Sequence, residues 1–169
     1  MDDKSLSQEF SPAPVAQAGH PTQGSAAHRV PRGHIHHIDL TVRDPTASLA
    51  FYEAVLGFMG YKLAREAPDG FDFEARTAHG FVSVGLVRAR PPGHDRPHDR
   101  YAPGLHHIAW HAQSRNDVDA LHALLCTRGH EVLDAPAEYP EYGPGYYAVF
   151  FADPDGLKLE FVFNAGSSG

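Results

Sequence analysis

At 169 residues the chain has room for one domain, since a typical domain takes roughly 150. Its 14 Lys and Arg against 21 Asp and Glu leave a formal charge of −7, which argues against a nucleic-acid partner and turns attention to small molecules. The longest apolar run, Tyr146 to Ala152, falls far short of the ~20 residues of a membrane helix. One cysteine, Cys126, rules out an internal disulfide and a Cys-rich zinc cluster, so a reducing, cytoplasmic setting is the expectation.

In chain order, residues 1–33 offer few large apolar side chains (Leu6, Phe10, Val15, Val30) and no charged start followed by an apolar stretch, so they read as a disordered N-terminal tail rather than a secretory signal. His36 to Val42 then alternates, with Ile38, Leu40 and Val42 on one face and His37, Asp39 and Thr41 on the other, as a half-buried strand does. Asp44-Pro45 opens a helix, with Asp44 as cap and proline in the first turn, and Gly57 is expected to stop it. Two β-like runs follow, Phe71 to Ala75 and Phe81 to Val87, split by Thr77-Ala78-His79-Gly80.

Pro91 to Arg100 reads as a polar linker in which His94 and His98 are solvated, and after it the same order returns. His106 to Ala112 alternates. A helix capped by Ser114 or Asn116 runs to Arg128-Gly129, with Cys126 as a packing residue. Tyr146 to Phe151 and Leu157 to Phe163 flank the turn Asp153-Pro154-Asp155-Gly156. The shared order of elements, more than the repeated His-His-Ile, indicates an internal duplication, with modules at 34–90 and 104–163 and a short tail at 164–169.

Strand parity selects among the 13 histidines. It turns His37 and His107 away from the helix-packed face and leans His36 and His106 toward it; Phe150, which shares the parity of Tyr146, Trp110 and Val84 are assigned to packing. In the last strand Leu157, Leu159, Phe161 and Phe163 form the apolar set, leaving Glu160 facing the other way. Brought together by a curved sheet, His37, His107 and Glu160 make a divalent-metal site with up to three open positions. The same parity also suits hydrogen-bonded strand histidines and a Glu160–Lys158 ion pair on a wet face. His111, two steps beyond His107 on its face, is a candidate general acid/base, and Tyr146 a candidate donor to a substrate oxygen. The aromatic segment Tyr139 to Gly145 reads as a turn or a cover for the pocket.

His37-Ile38-Asp39-Leu40-Thr41-Val42-Arg43-Asp44, Phe51-Tyr52-Glu53-Ala54-Val55-Leu56-Gly57-Phe58, Gly104-Leu105-His106-His107-Ile108-Ala109 and Asp153-Pro154-Asp155-Gly156-Leu157-Lys158-Leu159-Glu160 together resemble the vicinal oxygen chelate superfamily, which includes glyoxalases, bleomycin-resistance proteins and extradiol dioxygenases. The resemblance implies an α+β fold of two βαβββ modules pairing into a cupped mixed β-sheet with helices on the outer face. It places His37, His107 and Glu160 at metal-ligand positions. Iron(II) is the favoured ion, with manganese, zinc and nickel also compatible. A homodimer is implied, in some relatives with modules exchanged so that His37 completes the partner's site. Aligning Gly80 to Val84 with Gly156 to Glu160 puts Val84 where glyoxalase I has a fourth ligand. The extradiol signature has a Tyr at the place of Phe150 and a His near Glu141 to Gly143, both absent here. The implied function is a metal-dependent enzyme on a small substrate chelated through its oxygens, leaning to dioxygenase-type oxidation. Glyoxalase-like lyase or isomerase chemistry, or non-catalytic binding of an antibiotic-like molecule, are the alternatives.

Overall fold

The computed structural model describes residues 33–77 and 80–165, and the chain divides into Met1–His34 and Ile35–Gly169. The expected N-terminal tail, all but its last residue Gly33, and residues 166–169 lie outside the described residues, as do Ala78 and His79 of the first hairpin turn. From Ile35 onward two copies of one motif follow each other. The first comprises β1 (His37–Val42), α1 (Pro45–Phe58), β2 (Lys62–Ala67), β3 (Gly70–Thr77) and β4 (Gly80–Arg88). The second comprises β5 (His107–His111), α2 (Arg115–Arg128), β6 (Val132–Glu138), a short 3-10 turn (Pro140–Tyr142), β7 (Tyr146–Ala152) and β8 (Lys158–Asn164).

Each copy folds into a four-stranded mixed sheet, ordered β1-β4-β3-β2 and β5-β8-β7-β6. The first strand of each runs parallel to the last, which requires the crossover that the helix supplies; the other pairings are antiparallel. This is the α+β architecture of two βαβββ modules with cupped sheets, each helix packed on one face of its own sheet. The expected helix caps are present. Asp44 accepts the N–H of Thr46, Ser114 accepts that of Asp117, and Gly129 ends α2 at φ 69°.

α1 ends later than the sequence suggests. Gly57 lies inside the helix, and the left-handed residue is Gly60 at φ 91°, where the N–H of Tyr61 closes back on Leu56 O. Glycine is needed where the chain turns over, not where the helix still continues.

The helix-backed faces of both sheets share one core. Leu40, Val42, Tyr52, Val55, Val84 and Leu86 from the first module meet Leu121, Leu125, Phe151, Leu159 and Phe161 from the second. Phe51 packs on Phe151 and Phe58 on Phe161, with ring centroids 6.3 and 6.1 Å apart. Two polar latches cross the same seam. The Tyr52 hydroxyl donates to Asp153 at 2.8 Å, and the backbone N–H and Nε of Arg43 both donate to Asp155 at 2.6 Å. Asp153 also accepts the N–H groups of Asp155 and Leu157, so one buried carboxylate shapes its own turn and holds the other module. β1 and β5 each end a sheet with one edge unpaired among the described residues.

Candidate functional site

Register places the second module's candidates in one cup. His107 lies opposite Lys158, Ala109 opposite Glu160 and His111 opposite Val162, all on the face turned from the helices; Tyr146, Ala148 and Phe150 of β7 share it. Glu160 is only 2% exposed, an uncommon place for a carboxylate without a purpose or partners. It has two partners. His107 Nε2 stands 3.3 Å from Oε2, and the Tyr146 hydroxyl donates to Oε1 at 2.5 Å. Lys158 does not pair with it; its Nζ sits 3.8 Å above the Phe150 ring. The proposed Glu160–Lys158 ion pair is therefore absent.

Tyr146 does not stand ready for a substrate oxygen, as the sequence suggested, because Glu160 already takes its proton donor. Desolvation, then the hydrogen bond and charge of Glu160, raise the Tyr146 pKa far above the usual phenol range, so it holds its proton. His106 Nδ1 lies 2.8 Å from His107 Nδ1, and His36 Nδ1 lies 3.0 Å from His37 Nδ1. One of each pair donates and the other accepts, which couples the tautomer of each candidate ligand to its neighbour. His36 and His106 are thus exposed, not turned into the packed side; they precede the regular strand and rest on Phe81 and Tyr101.

Tyr139, Tyr142, Tyr146 and Phe150 form a continuous aromatic wall along this cup. Tyr139 stacks on Tyr142 at 22° and meets Phe150 edge-on at 5.1 Å, and Tyr142 meets Tyr146 at 5.3 Å. The 3-10 turn after Tyr139 brings Tyr142 to the rim, so the loop read as a turn or cover acts as a wall. Ala148, Phe150 and Val162 form a small buried apolar cluster with Tyr139 and Tyr146, separate from the main core. The sequence reading put Phe150 on the face of Tyr146 as a packing residue, but missed the cluster that it forms with Ala148 and Val162. The alternation of Tyr146, Ala148 and Phe150 in an otherwise apolar strand was its signal.

His37 occupies the corresponding place in the other cup, opposite Ser83, and is not gathered with His107 and Glu160. Among the described residues no group of three or more His, Cys, Asp or Glu is close enough to hold a metal. His111, at the far end of β5, lines an open cleft of about 580 Å³ with Phe58, Trp110 and Phe161. Trp110 is half-buried against the core rather than within it.

The register also corrects the internal alignment. Val84 pairs with Ile38 as Leu159 pairs with Ile108, so the counterpart of Glu160 is Gly85, opposite Asp39. A Cβ on Gly85 would lie 2.3 Å from Asp39 Oδ1 and 3.0 Å from Asp72 Oδ1. Gly85 is as unable to ligate as valine, and the fourth position stays empty of a donor of its own. Two expectations outside the cup also change. Cys126 is exposed, 3.4 Å from His122 Nε2, and His98 is half-buried with Nε2 shielded and unpartnered, whereas His94 is exposed beside Asp95.

A sequence model of the Glyoxalase/Bleomycin resistance protein/Dioxygenase superfamily matches residues 34–161. The chain belongs to that superfamily. It is 34% identical to YqjT of Bacillus subtilis over 128 residues, 76% of this chain and 97% of that protein. It is also 34% identical to YaeR of Escherichia coli over 127 residues, 75% and 92% of the two chains. Among solved structures, a candidate glyoxalase from Bacillus halodurans aligns at 31% identity and TM-score 0.66, over 79% of this chain and 97% of its own. A lactoylglutathione lyase from Agrobacterium tumefaciens, at 19% identity and TM-score 0.58 over 83% and 100%, shares the glyoxalase fold. No helix among the described residues is long and apolar enough to cross a membrane.

Proposed function

We propose that this chain is a divalent-metal-dependent enzyme acting on a small substrate chelated through adjacent oxygens. In this reading His107 and Glu160 of one copy and His37 of a second copy hold the ion. The observation that carries the reading is the buried Glu160, flanked by an imidazole nitrogen and oriented by a protonated tyrosine inside a cup with its own apolar floor. An imidazole and a carboxylate at one spot fit a borderline divalent cation, and Tyr146 is the kind of outer partner that orients a ligating carboxylate. Such an ion polarises substrate oxygens and, as iron(II), brings dioxygen chemistry within reach.

The chain's own residues supply the rest. The aromatic wall shields a bound substrate from water, Tyr146 keeps the carboxylate in one orientation, and His106 fixes the His107 tautomer. His111 is left as the acid/base candidate. The empty fourth position at residue 85 leaves room for substrate and dioxygen together, which favours dioxygenase-type oxidation over a lyase or isomerase step. A second copy is invoked because His37 lies in the other sheet, away from His107 and Glu160, while β1 and β5 keep free edges among the described residues, a pattern that an isologous dimer resolves.

Protein purified without nickel columns is expected to carry bound metal, and Glu160→Ala to weaken its binding by more than the roughly 10–100-fold that losing an outer partner costs. Unchanged metal content in that variant overturns the site. Oxygen uptake by the iron-loaded protein on a catechol panel supports oxidation, whereas turnover of hemithioacetals without uptake assigns the lyase branch.

A further inference from the structure

We propose that Asp39 and Lys158 form an ion pair between two copies of this chain, and that this pair seats the second copy's His37 at the His107–Glu160 cup. The inference rests on the reading above that the site is shared. Asp39 lies two residues from His37 on the same face of β1, and Lys158 lies opposite His107 in the parallel register of β5 and β8. Among the described residues neither is bonded to an opposite charge. Asp39 is exposed over Gly85, and the nearby Arg65 is bonded to Asp72 and meets Asp39 only through its charge. Lys158 is half-buried with its ammonium over the Phe150 ring, while Glu160 is held by Tyr146 and His107.

The two modules carry different halves of the pair. Ala109 takes the place of Asp39 in the second module, and Ser83 takes the place of Lys158 in the first. A module meeting its own kind therefore finds no complement, whereas the first module of one copy and the second of another match in charge, and an isologous contact makes the match twice. The surroundings are alike in both modules. Ile35 and Leu105, each two residues before its candidate ligand, are exposed, as are Phe81 and Tyr101, on which His36 and His106 rest. Burial of these residues favours association, and the charges beside them fix which module meets which. With the partner's β1 laid along the free edge of β5, residues 39 and 158 stand two strand spacings apart, about 9.6 Å, within the combined reach of the two side chains. Reaching across takes Lys158 off the Phe150 ring, an exchange of a cation–π contact for a charge-assisted one.

The test measures dimerisation of the full chain by sedimentation equilibrium with manganese(II) present, and bound metal on the same samples. The wild type is expected to dimerise. Asp39→Asn and Lys158→Met are each expected to weaken the dimer at least about tenfold, since two pairs are lost per dimer, and the double variant to be no weaker than either single one. Exchanging the charges, Asp39→Lys together with Lys158→Glu, is expected to restore the dimer that either reversal alone breaks. Thermal melts check that each variant folds, and where a reversal does not fold the neutralised set decides. Losses that add in the double variant, no loss in either single one, or a folded charge exchange that does not restore the dimer overturns the proposal. A dimeric wild type without this coupling removes the ion pair and leaves the shared site standing, whereas a monomeric wild type removes both. A coupled dimer that holds no metal upholds the pair and refutes the metal site.

Discussion

Glu160 shows how a side chain's neighbours decide what it can do. With a phenol on one oxygen and an imidazole on the other, it is satisfied without solvent. Tyr146→Phe leaves one oxygen short of a donor, and the expected loss is about 1–3 kcal/mol of stability in the metal-free protein, read from denaturant midpoints. Metal affinity should fall roughly 10–100-fold in the same variant, measured by chelator competition. Tyr52 carries a pH dependence of its own. Burial, then the neighbouring Asp153, raise its pKa well above the ordinary value, so the fold retains a proton that the unfolded chain releases. Stability is therefore fully present below about pH 10 and lost as pH rises through the ordinary tyrosine value and beyond. Tyr52→Phe should show a shallower alkaline loss in denaturation curves. Parity in the sequence was enough to place His107 and Glu160 on one face, because strand alternation reports faces directly. It did not reveal that Tyr146 belongs to Glu160, since which atoms touch depends on rotamers and on the neighbouring strand.

At the level of elements, the termini of α1 offer a discriminating pair of substitutions. Gly57 sits in the last turn of α1 with open space where a Cβ would go, so Gly57→Ala should stabilise by up to about 0.5–1 kcal/mol. Gly60→Ala forces a side chain into a left-handed turn and should destabilise by about 1–2 kcal/mol. Thermal melts of the two variants should move in opposite directions. The sequence pointed to Gly57 because a glycine after an apolar helical run is the ordinary stop signal; the backbone simply runs on to the next one. β2 and β6 were not placed by the residue pattern, although the resemblance implies three strands after each helix. Both lie at outer sheet edges and carry register shifts, and β6 holds Pro136, so neither shows the alternation or apolar run by which the other strands announce themselves. The residue 84/85 discrepancy has a related origin. Aligning two segments from their glycines gives no information on how each pairs with its own first strand, and a one-residue slip turns a cup position into a core one.

For the whole molecule, duplication and the order of elements were legible in advance, while the relation between the modules was not. It depends on the shared core and on the Arg43–Asp155 and Tyr52–Asp153 latches, which join residues more than a hundred positions apart. A site divided between two copies makes a specific prediction. When His37→Ala and Glu160→Ala proteins are mixed under conditions of subunit exchange, half of the dimers are hybrids and each hybrid regains one intact site. Metal binding should then recover to about a quarter of the wild-type stoichiometry, given random exchange of an isologous dimer. No recovery would place all ligands within one chain.

The main core lies behind the sheets, and the cup beneath Glu160 has a floor of its own. In the proposed reading, scaffold and specificity are carried by opposite faces of the same strands. Substitution of Phe150 or Val162 can reshape what is recognised while the load-carrying face stays intact, which gives such a framework freedom to diversify its chemistry over evolutionary time without first having to survive a loss of foldedness.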